Sequence, residues 1–202
     1  MTNATTEDTI QGYCMRCKMT IDMLDPEPVW TRHGQPGTRG TCPECGGSVF
    51  RMGASHLHEG LTPPQPIAIG KRGPKAKLPP NSVYIAYAPQ DEDTAQQLSD
   101  DLSKMGMATW LHDHTPEEVN WAGGVHPALK ECSRMVLVLT DDALSAGDVS
   151  AAWGHFREKR KPVVVAQLAG VEPPDDLRRS PRFDFREDYR SSFRRLVQAL
   201  NR

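Results

Sequence analysis

The stretch RMVLVLT (residues 134–140) is the clearest indication of the fold of the second half of this 202-residue chain. Its uninterrupted apolar character is typical of a parallel strand that is buried on both faces of a sheet. Two similar stretches, VYIAY (83–87) and VVVAQL (163–168), lie on either side of it, and apolar residues with helical spacing separate them. We therefore predict an α/β fold, in which helices cover both faces of a parallel sheet.

Further elements extend this alternation. Gly106 is expected to end the first helix, and Asn120 fits the N-cap of the second. The predicted helices are 91–105, 120–132, 142–160 and 189–200, and the additional strands are 107–111 and 182–185. Ligands of such sheets bind beyond the carboxyl ends of the strands, so functional residues are expected in the loops that follow them. Those loops are 88–92, 112–120 and 141–149.

The charge and hydropathy pattern excludes two classes of protein. Twenty-four Lys and Arg against 26 Asp and Glu give a net charge of −2 at pH 7, which does not fit a polycationic protein that coats nucleic acid. The apolar runs are far shorter than the roughly 20 residues of a membrane span. The N-terminal residues lack a signal-peptide pattern. These features predict a soluble cytoplasmic protein with no membrane partner.

Composition divides the chain into three segments. Residues 1–53 contain four of the five cysteines, and residues 82–202 contain nearly all of the periodic apolar pattern. Residues 54–81 contain six Pro and three Gly with a local excess of positive charge, which is typical of a linker. We predict a small metal-binding module, a basic tether and an α/β domain with these boundaries.

The four N-terminal cysteines form two Cys-x-x-Cys pairs that are separated by 24 residues: Cys14, Cys17, Cys42 and Cys45. Two such knuckles offer four sulfurs to one ion, the tetrahedral set that suits Zn²⁺. A redox dithiol is the alternative, but its usual thioredoxin βα context is missing. A closed four-cysteine site leaves no open coordination position, so zinc is expected to be structural and to support folding. The fifth cysteine, Cys132, is expected to pack as a small buried apolar residue.

The first segment resembles a small zinc-ribbon family of unknown function. The resemblance covers residues 12–53 and rests on YCMRCK (13–18), DPEPV (25–29), GTCPECGG (40–47) and FRMG (50–53). It implies a structure rather than an activity. Contact with a protein, contact with nucleic acid and a passive capping role all stay open for this ribbon.

Residues 82–202 resemble a bacterial TIR (Toll/interleukin-1 receptor) domain. The motifs that carry the resemblance are VYIAYAPQDED (83–93), GMATWL (106–111), Asn120-Trp121, CSRMVLVLT (132–140) and KPVVV (161–165). The resemblance implies a flavodoxin-like fold with a five-stranded parallel sheet. It further implies either association with other TIR domains or proteins, or cleavage of the nicotinamide–ribose bond of NAD⁺, often in bacterial defence.

The catalytic glutamate of the TIR family has no counterpart at the expected position. In the family pattern it lies nine residues before the Lys-Pro strand start, which corresponds to Ala152. A methyl group cannot accept a hydrogen bond or carry the charge that this chemistry needs. Asp148 and His155 lie on the same helical face, so Asp148 is the candidate for a displaced acid.

The predicted pocket rim departs from the family pattern as well. The loop HDHTPEEV (112–119) lacks the usual Pro-Gly pair, and Ala88 stands where Ser is common. The resemblance places Ala88, Asp113, Trp121 and His155 at this rim. His112 and His114 are interpreted as residues of a solvated loop rather than a second metal site.

These residues favour a signal-transduction or interaction protein. The zinc ribbon would serve recognition or assembly, and the TIR domain would self-associate or dock another protein. The alternative is an NAD⁺ hydrolase that uses a displaced acid, with NAD⁺ as ligand or substrate. A nucleic-acid sensor that uses the ribbon and the linker is a third, less favoured hypothesis.

Overall fold

The computed structural model describes residues 9–64, 78–112, 121–122 and 124–201. These residues form two compact units. The first contains residues 9–64 together with 121, 122 and 124–127, and the second contains residues 78–112 and 128–201. Within the described ranges, no helix is both long and apolar enough to cross a membrane.

The first unit is a small β structure of five strands: β1 (Gln11–Cys14), β2 (Met19–Asp22), β3 (Leu24–Trp30), β4 (Pro36–Thr41) and β5 (Ser48–Met52). Strands β1 and β2 form a hairpin, and β3, β4 and β5 form an antiparallel sheet in that order. A side chain at Gly12 would overlap Met23 and Val49, so this glycine allows the hairpin to pack closely. The core consists of Ile10, Cys14, Ile21, Met23, Cys42 and Val49.

A short segment from later in the chain completes the first unit. Trp121 forms a parallel bridge with Trp30, and the Ala122 N–H donates to the Trp30 carbonyl at 2.8 Å. The predicted helix over 120–132 is therefore too long at its N-terminal end, since α2 spans only Pro127–Glu131. Gly124 has φ +77°, a left-handed turn that a helix cannot include. Asn120 lies outside the described residues.

The second unit alternates strands and helices as predicted. Its elements are β6 (Val83–Ala86), α1 (Glu92–Lys104), β7 (Thr109–Leu111), α2, β8 (Arg134–Leu139), α3 (Asp141–Ser145), α4 (Gly147–Glu158), β9 (Val163–Gln167), β10 (Arg182–Asp184) and α5 (Tyr189–Leu200). The five strands are parallel, with the spatial order β7-β6-β8-β9-β10. This is the flavodoxin-like order 2-1-3-4-5, and it confirms the predicted fold class.

Helices cover both faces of this sheet. Alternate residues of its inner strands point to opposite sides, so each face has apolar side chains that the helices bury. One face packs against α1 and α5 through Leu98, Leu102, Leu196 and Leu200. The other face packs against α4, where the Phe156 ring lies 6.0 Å from the Tyr84 ring.

The predicted helix over 142–160 is interrupted. Ala146 is extended, with φ −80° and ψ 115°, and separates α3 from α4. Thr140 caps α3, since its hydroxyl oxygen accepts from the Ala143 N–H at 3.2 Å. Asp148 accepts from the Val149 N–H at 2.8 Å in the first turn of α4. The break places the Asp148 side chain at the beginning of a new helix rather than in the middle of a long one.

Lys161 holds the C-terminal end of α2. Its ammonium donates to the carbonyl oxygens of Leu129, Lys130 and Cys132 at 2.9, 2.8 and 2.7 Å. It also lies 5.1 Å from the centre of the Phe156 ring. Burial lowers the pKa of Lys161, which nevertheless stays the donor that the last carbonyls of this short helix require.

Replacement of Lys161 by Met keeps the length of the side chain but removes this donor. We expect Lys161→Met to lower the free energy of unfolding by about 1–3 kcal/mol, because buried carbonyls lose a charged partner. Urea denaturation measures the difference. The control is Lys159→Met, because Lys159 is exposed and pairs with the neighbouring, exposed Glu158. An equal effect of both variants would contradict the role assigned to Lys161.

Candidate metal centre and candidate pocket

The four cysteines of the two knuckles meet at one end of the first unit. The ligand atoms of Cys14, Cys17, Cys42 and Cys45 all lie within 4.8 Å of one another. Local backbone geometry builds each knuckle: the Lys18 N–H donates to the Cys14 carbonyl at 2.8 Å, and the Gly46 N–H donates to the Cys42 carbonyl at 2.9 Å. Both turns use left-handed backbone, with φ 56° at Lys18 and 64° at Gly46. The glycine at position 46 adopts this conformation without the strain that a side chain would add.

The spacing of the sulfurs fits a tetrahedral metal site. A Zn–S bond of about 2.3 Å gives about 3.8 Å between two sulfurs of a tetrahedron. The Cys14 and Cys45 sulfurs are 3.6 Å apart, and the Cys17 and Cys42 sulfurs are 3.9 Å apart. The four cysteines could therefore hold one metal ion, and sulfur ligands suit zinc.

The ionisation of this cluster is uneven. The backbone N–H of Cys17, 3.4 Å from the Cys14 sulfur, is the main cause that lowers the pKa of Cys14 to about 7. The hydrogen bond with Cys45, followed by burial, raises the pKa of Cys17 to about 12. The Cys14 thiol therefore loses its proton at a lower pH than the Cys17 thiol. A divalent cation would remove this difference, because it stabilises thiolates directly.

Cys132 belongs to neither the metal cluster nor an exposed site. It is fully buried in the second unit, and burial raises the pKa of its thiol to about 12. The prediction that it packs as a small apolar residue is confirmed.

In the second unit, three polar residues from β6, the end of β7 and α4 form a hydrogen-bonded chain. His112 follows β7 and has its Nδ1 atom 2.7 Å from the Tyr84 hydroxyl of β6. Its Nε2 atom donates to the Asp148 carboxylate of α4 at 3.0 Å. His112 is only 8% exposed, whereas the Asp148 side chain is 50% exposed. The interpretation of His112 as a solvated loop residue is wrong, since both ring nitrogens are bound inside the fold.

The position predicted for the family's glutamate is buried in the second unit. Ala152 on α4 is 1% exposed. Asp148, one turn earlier, directs its carboxylate to His112. His155, three residues after Ala152, has its ring 6.4 Å from that of Phe156, and burial lowers its pKa. The side chains that share this helical face are therefore one half-exposed carboxylate and one imidazole that favours its neutral form.

The remaining predicted rim residues occupy different environments. Ala88 is 1% exposed, immediately before the 3₁₀ turn Pro89–Asp91. Trp121 belongs to the first unit, where its ring lies 5.5 Å from the ring of His126. Asp113 lies outside the described residues, as does His114. The pocket rim as a whole stays a prediction.

A second polar contact near the strand ends was not predicted from the sequence. The Thr140 hydroxyl, just after β8, donates to the Asp91 carboxylate at 2.6 Å. This bond joins the loop after β6 to the loop after β8. The available signal was the position of Asp91 in the predicted loop 88–92 and of Thr140 at the end of the predicted strand 134–140, because the loops that follow the strands of this fold converge.

Comparison with known proteins identifies both regions of the chain. Residues 83–197 match the family model of the TIR domain, and residues 13–52 match a domain of unknown function, DUF5679. No curated protein matches the chain. A similar solved structure is the TIR domain of the Toll-related receptor TRR-2 from Hydra magnipapillata. It has 22% identity and a TM-score of 0.49, over 59% of this chain and 98% of that one.

The family match extends over more than half of the chain and includes β6 through most of α5. The parallel five-stranded sheet agrees with it independently. This chain belongs to the TIR domain family, whose members act in signal transduction by associating with each other or with other proteins.

Proposed function

We propose that this protein is a non-catalytic TIR signalling protein whose N-terminal zinc ribbon serves recognition or assembly. The observation that carries the proposal is the buried alanine, Ala152, at the position of the family's catalytic glutamate. Transition-state stabilisation in NAD⁺ cleavage needs a carboxylate that faces the ribose, and a methyl group cannot provide it. The signalling role then depends on surfaces rather than on chemistry.

The environment of Asp148 supports the same proposal. Its Oδ2 atom accepts from His112 and its Oδ1 atom accepts from the Val149 backbone. Hydrogen bonds of this kind stabilise the charged carboxylate in a fixed direction. A carboxylate held towards a protein imidazole is less available to bind the hydroxyl groups of a substrate.

The same geometry provides the specific argument for the alternative function. Asp148 is half exposed at the first turn of α4, and the Tyr84–His112 pair holds its side chain in one orientation. A preorganised acid at the strand ends is what NAD⁺ hydrolysis by a displaced residue would require. We therefore keep an NAD⁺ glycohydrolase that uses Asp148 as the second candidate.

The zinc ribbon is proposed as the structural core of the first unit. Cys14, Cys17, Cys42 and Cys45 would hold the ion in a closed site, and zinc would stabilise folding rather than catalyse a reaction. Among the described residues, the buried apolar cluster next to this site has six members, two of which are the cysteines Cys14 and Cys42. A core this small supplies little folding free energy without the metal. Cytoplasmic location and a role in defence stay predictions.

Release of nicotinamide from NAD⁺ tests the first proposal. We expect the purified protein to release none above a blank, even at high protein concentration or with a crowding agent that promotes assembly. Chromatographic quantification of nicotinamide is the measurement. The informative pair of variants is Asp148→Ala and Asp148→Asn, the second of which keeps the shape of the side chain. Turnover by the wild type that both variants abolish would contradict the non-catalytic proposal and establish the alternative.

Metal content and thermal stability test the ribbon. We expect about one zinc ion per chain by mass spectrometry of the metal. Cys42→Ala should lose the ion and the folding transition of the first unit, because three sulfurs no longer close the site. Cys132→Ala is the control, since this cysteine is buried in the second unit and should keep the ion. Full metal retention by Cys42→Ala would disprove the proposed site.

A further inference from the structure

An open groove runs along the surface of the second unit between α1 and α5. Its volume is about 650 Å³. Tyr189, Phe193 and Val197 of α5 lie along it at intervals of four residues, so they form one stripe on the helix. Tyr189 and Phe193 are half-buried, and Val197 is 8% exposed. The rings of Tyr189 and Phe193 are parallel, with an interplanar angle of 5° and centroids 5.9 Å apart. The stripe is about 12 Å long, the length of two helical turns.

The floor of the groove is apolar, and it is continued by an exposed methionine. Met105, at the C-terminal end of α1, is 60% exposed and lines the same groove. It is the one large apolar side chain of the second unit's described residues that is exposed to this degree. Methionine adapts its shape to a partner, and it is common at surfaces that bind helices.

The walls of the groove are positively charged. Arg190 and Arg194 border it on the α5 side, and Lys104 borders it on the α1 side. The groove's carboxylate, Asp101, accepts from Lys104 at 2.7 Å and from the Tyr189 hydroxyl at 2.9 Å, so its charge is already neutralised. Among the described residues, no carboxylate forms an ion pair with Arg190 or Arg194.

We propose that this groove binds an acidic amphipathic helix of a partner protein, with apolar side chains on the aromatic stripe and carboxylates at the two arginines. The length of the stripe matches the i, i+4, i+7 anchors of a helix that lies in a groove. The unpaired guanidinium groups select negative charge at its edges. This inference rests on the proposed signalling function and specifies the chemistry of the partner.

The test uses two synthetic helical peptides of about 12 residues as probes. Both carry Leu at i, i+4 and i+7, and they differ only in flanking Glu or Lys residues. Fluorescence anisotropy with the full-length protein should show that the Glu peptide binds roughly tenfold more tightly, with the preference reduced by salt. The double variant Arg190→Glu/Arg194→Glu should reverse the preference and favour the Lys peptide.

Matched single variants locate the effect on the groove. Arg194→Glu should weaken binding of the Glu peptide several-fold. Arg195→Glu, the same change at the next residue, should leave it unaltered, because Arg195 lies over the Phe183 ring and does not line the groove. Circular dichroism checks that each variant is folded.

Three results would overturn the inference: binding of neither peptide, equal binding of both, or an equal effect of the two single variants. Sedimentation velocity without peptide adds a further one, since a dimer that dissociates in the double variant would show that a second copy occupies the groove. If the peptides do not bind as expected but no nicotinamide is released, the groove inference is refuted and the proposed function stands. If NAD⁺ is cleaved but the peptides bind as expected, only the proposed function is refuted.

Discussion

Burial of the central strand on both faces is the constraint on which the second unit depends. Residues Met135 to Leu139 of β8 have no exposed surface, so each side of the sheet must be covered by helices. The parallel connections place α1 and α5 on one side and α4 on the other. This arrangement brings Asp91, which follows β6, to the Thr140 hydroxyl after β8, and it places His112, which follows β7, against the Tyr84 hydroxyl of β6. The candidate pocket is therefore a consequence of how the sheet is covered.

The first unit has a much smaller apolar core than the second. Its apolar core is too small to organise five short strands, and two of its most buried residues are cysteines of the knuckles. Sulfur spacing of 3.6 and 3.9 Å indicates that the chain is arranged around an ion-sized centre. The strands of this unit then follow from the position of that centre, because β1 ends at one knuckle and β5 begins after the other. The chain thus combines a unit organised by apolar burial with one whose four clustered cysteines could hold a metal ion.

The polar side chains around β6, β7 and α4 are held by contacts within the protein. With Ala152 buried in α4, the polar groups at the strand ends bind one another rather than a common open point. His112 uses both ring nitrogens within the protein, which gives it a positioning role instead of a free proton-transfer role. The half-buried aromatic stripe on α5 lines the groove between α1 and α5, the two helices that cover one face of the sheet. Signalling through surfaces is consistent with both features.

Local sequence patterns were sufficient to predict the parallel α/β sheet and the four cysteines that could hold a metal ion. Apolar runs and Cys-x-x-Cys spacing lie within short segments, so they can be recognised without knowledge of the folded chain. Three features could not be predicted from local sequence and are seen only in the folded chain: the break at Ala146, the late start of α2 at Pro127 and the burial of His112. These features depend on partners distant in the chain: Trp30 pairs with Trp121, and Asp148 lies 36 residues beyond the histidine that it binds. No local pattern encodes such contacts, because packing between elements selects them after the elements have formed.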